Sequence, residues 1–136
     1  MRFFLLAFSL SLLTGCMSNL QQLEVLSPEA NDFGSALAAE YLAYADSESE
    51  QGHTLSAEYF AAKGMRAWHG EKVELEAVDA ATPKHLKTQL QSTRAMLSAL
   101  LNEDVTHVVP QPAARAQLLF DCWVKRGKDT GLCAEE

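Results

Sequence analysis

The chain has 136 residues, 48% hydrophobic and 21% charged, with a formal net charge of −7. That is the composition of one globular domain rather than a disordered or fibrous chain. The acidic balance excludes nucleic-acid binding by phosphate neutralisation and attachment to anionic lipid through a basic face.

The chain opens on Arg2 and an apolar run from Phe3 to Leu13. A membrane-spanning helix needs about 20 apolar residues, and this run is about half that, the length of a secretory leader. It closes on Leu13-Thr14-Gly15-Cys16, which resembles the lipobox of bacterial lipoproteins. There the cysteine sulfur is acylated and the bond before it is cut, so small residues must enter the protease ahead of a nucleophilic thiol. The expected organisation is a lipoprotein signal peptide at 1–15, a lipidated Cys16 with a tether at 16–30, and a helical domain at 31–136. Met17, not Asp, follows the cysteine, and by resemblance to enterobacterial sorting rules this implies the outer membrane rather than the inner one.

Within the tether, Leu20, Leu23 and Leu26 recur every third residue and can pack on the domain, and Ser27-Pro28 punctuates the chain. A first helix is predicted over 31–50, capped by Asn31 or Asp32, with Phe33, Leu37, Tyr41 and Tyr44 on one stripe. A second, over 55–69 and capped by Thr54, carries Ala57, Phe60, Ala61, Gly64 and Trp68. Gly64 in its interior costs about 1 kcal/mol against alanine, so a close helix crossing is expected there. Gly70 suits the position after that helix, and Glu71 to Glu76 reads as an extended loop.

Thr82-Pro83 opens a third helix to about 102, with Leu86, Leu90, Leu97, Leu100 and Leu101 inward and Lys84, Lys87, Gln89, Gln91 and Arg94 solvated. Pro110 and Pro112 bracket the start of a fourth, over 112–126, with Ala113, Ala116, Phe120, Trp123 and Val124 buried. Gly127 ends it, and a short turn carrying Cys133 folds back. The expected fold class is all-α: a small bundle of about four helices, as two antiparallel hairpins, behind the signal peptide.

Several stretches carry a family resemblance: Glu40-Tyr41, Ala57 to Gly64, Gly70 to Val73, Ala113 to Gln117, and Phe120-Asp121-Cys122-Trp123 with Cys133 downstream. They are similar to the helical N-terminal region of alphaproteobacterial OmpA-family outer-membrane lipoproteins, over about residues 27 to 133. Phe-Asp-Cys-Trp is the most specific of them. In that family a peptidoglycan-gripping domain usually follows, and no such residues carry over to this chain. After Trp123 this chain has Val-Lys-Arg-Gly-Lys-Asp-Thr-Gly, where the relatives are rich in Gln, Glu and Asn. The resemblance implies no catalytic activity.

Three cysteines leave Cys122 and Cys133 once Cys16 is committed to lipid. In an exported chain the pair is expected to form a disulfide, with Gly127 and Gly131 allowing the reversal that brings their α-carbons within about 7 Å. His53, His69, His85 and His107 are never three or four residues apart and no Cys-x-x-Cys occurs, so neither a metal nor another cofactor is expected. No nucleophile elbow or phosphate loop is present either. The carboxylate runs Glu48/Glu50 and Glu71/Glu74/Glu76 read as solvated faces.

Tyr41, Tyr44, Tyr59, Trp68 and Trp123 are either core residues or the lining of an interaction surface. The expected function is that of a non-enzymatic, lipid-anchored periplasmic envelope module docking another envelope protein at the outer membrane. The alternative is a small-ligand or glycan binder using an aromatic groove.

Overall fold

The computed structural model describes residues 16–126, and the signal-peptide segment, Gly127 and Cys133 lie outside the described residues. All regular structure among the described residues is helical: α1 Asn19–Leu26, α2 Phe33–Glu50, α3 Thr54–Trp68, α4 Lys84–Leu100, α5 Glu103–Val108 and α6 Pro110–Arg126. The helical class agrees with the expectation. Among the described residues the helices number six rather than four, because two short ones lie in stretches read as tether and connection.

The first is α1. Ser18 accepts from the Gln21 backbone while the Gln21 side chain accepts from Ser18 N, a complete capping box. Leu20 and Leu23 are buried in the main core, and Glu58 of α3 accepts the backbone N–H of Asn19 at 2.8 Å. Residues 19–26 therefore pack on the folded body, through two of the leucines whose spacing allows it. The second is α5, capped by the Asn102 side chain and burying no residue.

The expected hairpin of α2 and α3 is present. Asp32 caps α2 through Ser35 N, and Gly52, at φ +80°, takes the left-handed turn that starts the return. The helices run antiparallel: Gly34 faces the Ala67 carbonyl at one end, the Tyr44 and Phe60 rings meet edge-on at 4.7 Å, and His53 lies beside Glu48 at the other. Gly64 marks the expected close crossing. A Cβ there would lie 2.5 Å from Leu23 Cδ2 and 3.3 Å from Tyr41 Cβ, so α1 and α2 both occupy the space a side chain would need.

Residues 71–78 cross the body as an extended strap with no strand pairing, placing Val73 and Leu75 in the interior. α6 then runs parallel to α2: Gln111 bonds Ala30 O, Arg115 pairs with Glu40 and Arg126 with Glu48. It packs more on α2 than on α4, so the second expected hairpin is not a unit of its own. α4 is held by a separate small cluster of Leu75, Leu90, Phe120 and Val124, with Leu86, Leu97, Leu101 and Trp123 half-buried around it. Leu100, expected inward, is exposed. Pro83 rather than Thr82 occupies the cap position of α4, one residue later than expected.

Candidate functional site

Cys16 is exposed at the beginning of the described chain. Only Met17 and the cap Ser18 separate it from α1, so a lipid on its sulfur would be joined almost directly to the folded body. Among the described residues no helix is long and apolar enough to cross a membrane. At the other end of the chain, Cys122 is fully buried on α6, and its expected partner Cys133 lies outside the described residues.

The five aromatic candidates do not line one groove. Tyr41 is completely buried and Tyr44 packs half-buried against the core. Tyr59 lines a cleft of about 780 Å³ between the start of α3 and the end of α6. Trp68 lines another, of about 690 Å³, between the start of α2, the strap and the end of α4. Trp123 belongs to the α4 cluster. Of the two readings open for these residues, Tyr41, Tyr44 and Trp123 pack in the interior clusters, while Tyr59 and Trp68 reach clefts at opposite ends of the bundle.

The interior holds a charged network instead. Asp121 of the Phe-Asp-Cys-Trp stretch has no exposed surface, and Lys63 of α3 is also buried. Lys63 Nζ donates to Asp121 Oδ2 at 2.6 Å and to Glu76 Oε1 at 2.9 Å. The Tyr41 hydroxyl also donates to Asp121 Oδ2, and Glu76 N–H donates to Asp121 Oδ1 at 2.8 Å. Tyr59 donates to the Glu76 carboxylate. Gln117 Nε2 donates to Val73 O at 2.7 Å, and Arg94 Nε to Glu76 O at 2.9 Å.

One carboxylate therefore collects donors from α2, α3 and the strap, while Arg94 ties α4 to the strap as well. A strap without strand partners needs its backbone polar groups satisfied in this way, since a buried unpaired group costs about 1–3 kcal/mol. Three expectations are corrected here. Glu76 is not solvated: its side chain is 11% exposed. Glu48 is buried and paired with Arg126, with His53 Nδ1 at 3.5 Å. Arg94 is half-buried, with its guanidinium on strap carbonyls. Glu50, Glu71 and Glu74 are exposed as expected.

Burial raises the Asp121 carboxyl above the ordinary aspartate value against the pull of Lys63 and Tyr41. Burial also raises Glu76, but its bonds to Tyr59 and Lys63 outweigh this and hold it below the ordinary value. Burial raises both Tyr41 and Tyr59, so their hydroxyls stay protonated as donors. Each of these charged groups is engaged by another, and neither Asp121 nor Lys63 lines the two large clefts. This arrangement can hold four elements in register. No protein-family model matches the chain, and neither does any curated protein or solved structure.

Proposed function

We propose that this chain is a lipid-anchored periplasmic lipoprotein whose helical domain serves as a non-enzymatic structural or protein-interaction module at the outer membrane. The observation that carries the proposal is the position of Cys16. It follows an apolar segment of leader length with small residues before it, is exposed, and is separated by two residues from a helix docked on the domain. Acylation there would hold the body at the bilayer without help from a basic face, since one buried methylene contributes about 0.8 kcal/mol.

The likeness to the helical region of alphaproteobacterial OmpA-family lipoproteins is part of the same reading. Its most specific stretch, Phe120-Asp121-Cys122-Trp123, carries the most deeply buried carboxylate among the described residues and a buried cysteine, residues whose identity packing constrains strongly. The proposed Cys122–Cys133 disulfide would hold the end of α6. The charged network supports a structural role, because its carboxylates and lysine are committed to one another.

Fractionation of cells producing the parent and Cys16→Ala tests the anchor. The parent is expected with outer-membrane material and the variant in the soluble periplasmic fraction; equal retention of both would overturn the proposal. Crosslinking of the parent followed by mass spectrometry is expected to enrich one envelope protein, and recovery of a small molecule without a protein partner would favour ligand binding instead.

A further inference from the structure

The proposed anchor lies at one particular end of the bundle. Asn19 and Leu20 donate their backbone N–H groups to Glu58, and Leu23 lies against Gly64. α1 therefore leaves Glu58 in the direction of Gly64, and residues 16–18 lead back towards the start of α3. Three residues of chain reach at most about 10 Å, and Leu55 is one helical turn before Glu58.

Leu55 is 89% exposed, the most exposed of the large apolar residues among those described. Met17, beside the anchor, is 48% exposed, and Tyr59, one turn along from Leu55 on the same helix face, is 40% exposed. Single exposed apolar side chains are ordinary, but these three gather at the end that carries Cys16. Lys125 completes the set, with Nζ 3.9 Å from the centre of the Tyr59 ring. The ammonium lies over the ring face and 3.7 Å from Glu76 Oε2, with the Lys125 side chain 40% exposed. A tyrosine and a lysine paired in this way are both amphipathic, and such side chains suit a bilayer interface, where apolar bodies sit beside wet polar tips.

The acidic groups nearby are largely engaged: Glu48 by Arg126, Glu58 by the start of α1, and Glu76 by Lys63. Glu50 remains exposed, which suits a zwitterionic surface better than an anionic one. The opposite end, by contrast, carries the start of α2, Trp68 and the end of α4.

We propose that Met17, Leu55, Tyr59 and Lys125 form a face that rests on the interfacial region of the bilayer, so that the lipid on Cys16 orients the domain as well as retaining it. This rests on the anchor reading above, and it leaves the Trp68 end and the exposed Met96 and Leu100 of α4 directed towards the periplasm.

The test uses the chain from Cys16 to Glu136 in a Cys133→Ser background, coupled through Cys16 to maleimide-bearing lipid in phosphatidylcholine–phosphatidylethanolamine vesicles. Leu55→Trp and Met96→Trp place an added emitter at either site, both solvent-exposed in the parent, and circular dichroism verifies helix content. A side chain seated about 5–10 Å into the interface is reached by brominated acyl chains, so the added Leu55→Trp emission is expected to fall by about half while that of Met96→Trp is unchanged. Unquenched emission at 55, or equal quenching at both sites, overturns the proposal. Because coupling is chemical, this result is independent of whether cells acylate Cys16, which the fractionation of Cys16→Ala decides separately.

Discussion

Lys63 Nζ stands 2.6 Å from Asp121 Oδ2, and neither residue has appreciable contact with solvent. The pair joins α3 to α6 across the interior, and through Glu76 and Tyr41 it also holds the strap and α2. Removing one partner leaves the other as a buried charge, which costs far more than the pair contributes over an apolar replacement.

Lys63→Met is accordingly expected to lower the unfolding free energy by about 3–5 kcal/mol, measured by urea titration. Lys63→Met combined with Asp121→Asn is expected to cost clearly less than the sum of the two single substitutions. Additive costs would show that the two groups are not coupled.

Acid should act on the same network through Glu76. Its native pKa is depressed from the ordinary 4.5, so its contribution is present above that value and is lost as pH falls through the lower native one. The stability difference between the parent and Glu76→Gln should shrink on acidification below pH 4.5. Asp121 has the opposite sign: burial raises its pKa above 3.8, so its contribution is present below that value and is lost as pH rises through the raised one. Asp121→Asn should therefore keep the acid loss that Glu76→Gln abolishes. Identical pH profiles for the parent and Glu76→Gln would contradict this.

Gly64→Ala gains helix propensity of about 1 kcal/mol yet places a methyl 2.5 Å from Leu23 Cδ2. With Tyr41 Cβ at 3.3 Å behind it, Leu23 has to give way. Overpacking of this kind costs about 1–3 kcal/mol, and the visible consequence is expected in α1. Limited proteolysis should cut residues 17–27 faster in the variant; unchanged cleavage would mean α1 docks without that crossing.

The proposed Cys122–Cys133 bridge closes a short loop, worth about 3 kcal/mol in the chain-entropy model. Non-reducing peptide mass spectrometry of periplasm-derived protein is expected to find the two cysteines linked, and reductant is expected to lower the melting temperature of the parent but not of Cys133→Ser. Two free thiols in the untreated protein would refute the pairing.

Much of the helical framework can be read from spacing. Phe33, Leu37 and Tyr41 mark α2, because a wide apolar stripe needs a core to face. Gly64 announces the crossing, because a mid-helix glycine needs a close neighbour to offset its cost. α1 escapes because eight residues carry too short a period, although Ser18 and Gln21 form a capping-box pair that could have revealed it. α5 buries nothing and so leaves no apolar signature. Glu48, Glu76 and Arg94 look solvated because their partners are far along the chain: Arg126 for Glu48, Lys63 and Asp121 for Glu76, and the strap carbonyls for Arg94. Only the fold brings such groups together, and a local charge pattern cannot distinguish a buried ion pair from a wet face. The spacing of the five aromatic residues leaves core and interaction surface both open for a related reason: it places side chains on helix faces but does not say at which end of the bundle each lies.

The anchor is tested most directly at the N-terminal peptide of the protein extracted from membranes with detergent. Mass spectrometry is expected to find a peptide beginning at Cys16 and carrying a diacylglyceryl group with an amide-linked acyl chain. A peptide that retains residues 1–15, or one that begins at Cys16 with an unmodified thiol, would contradict it.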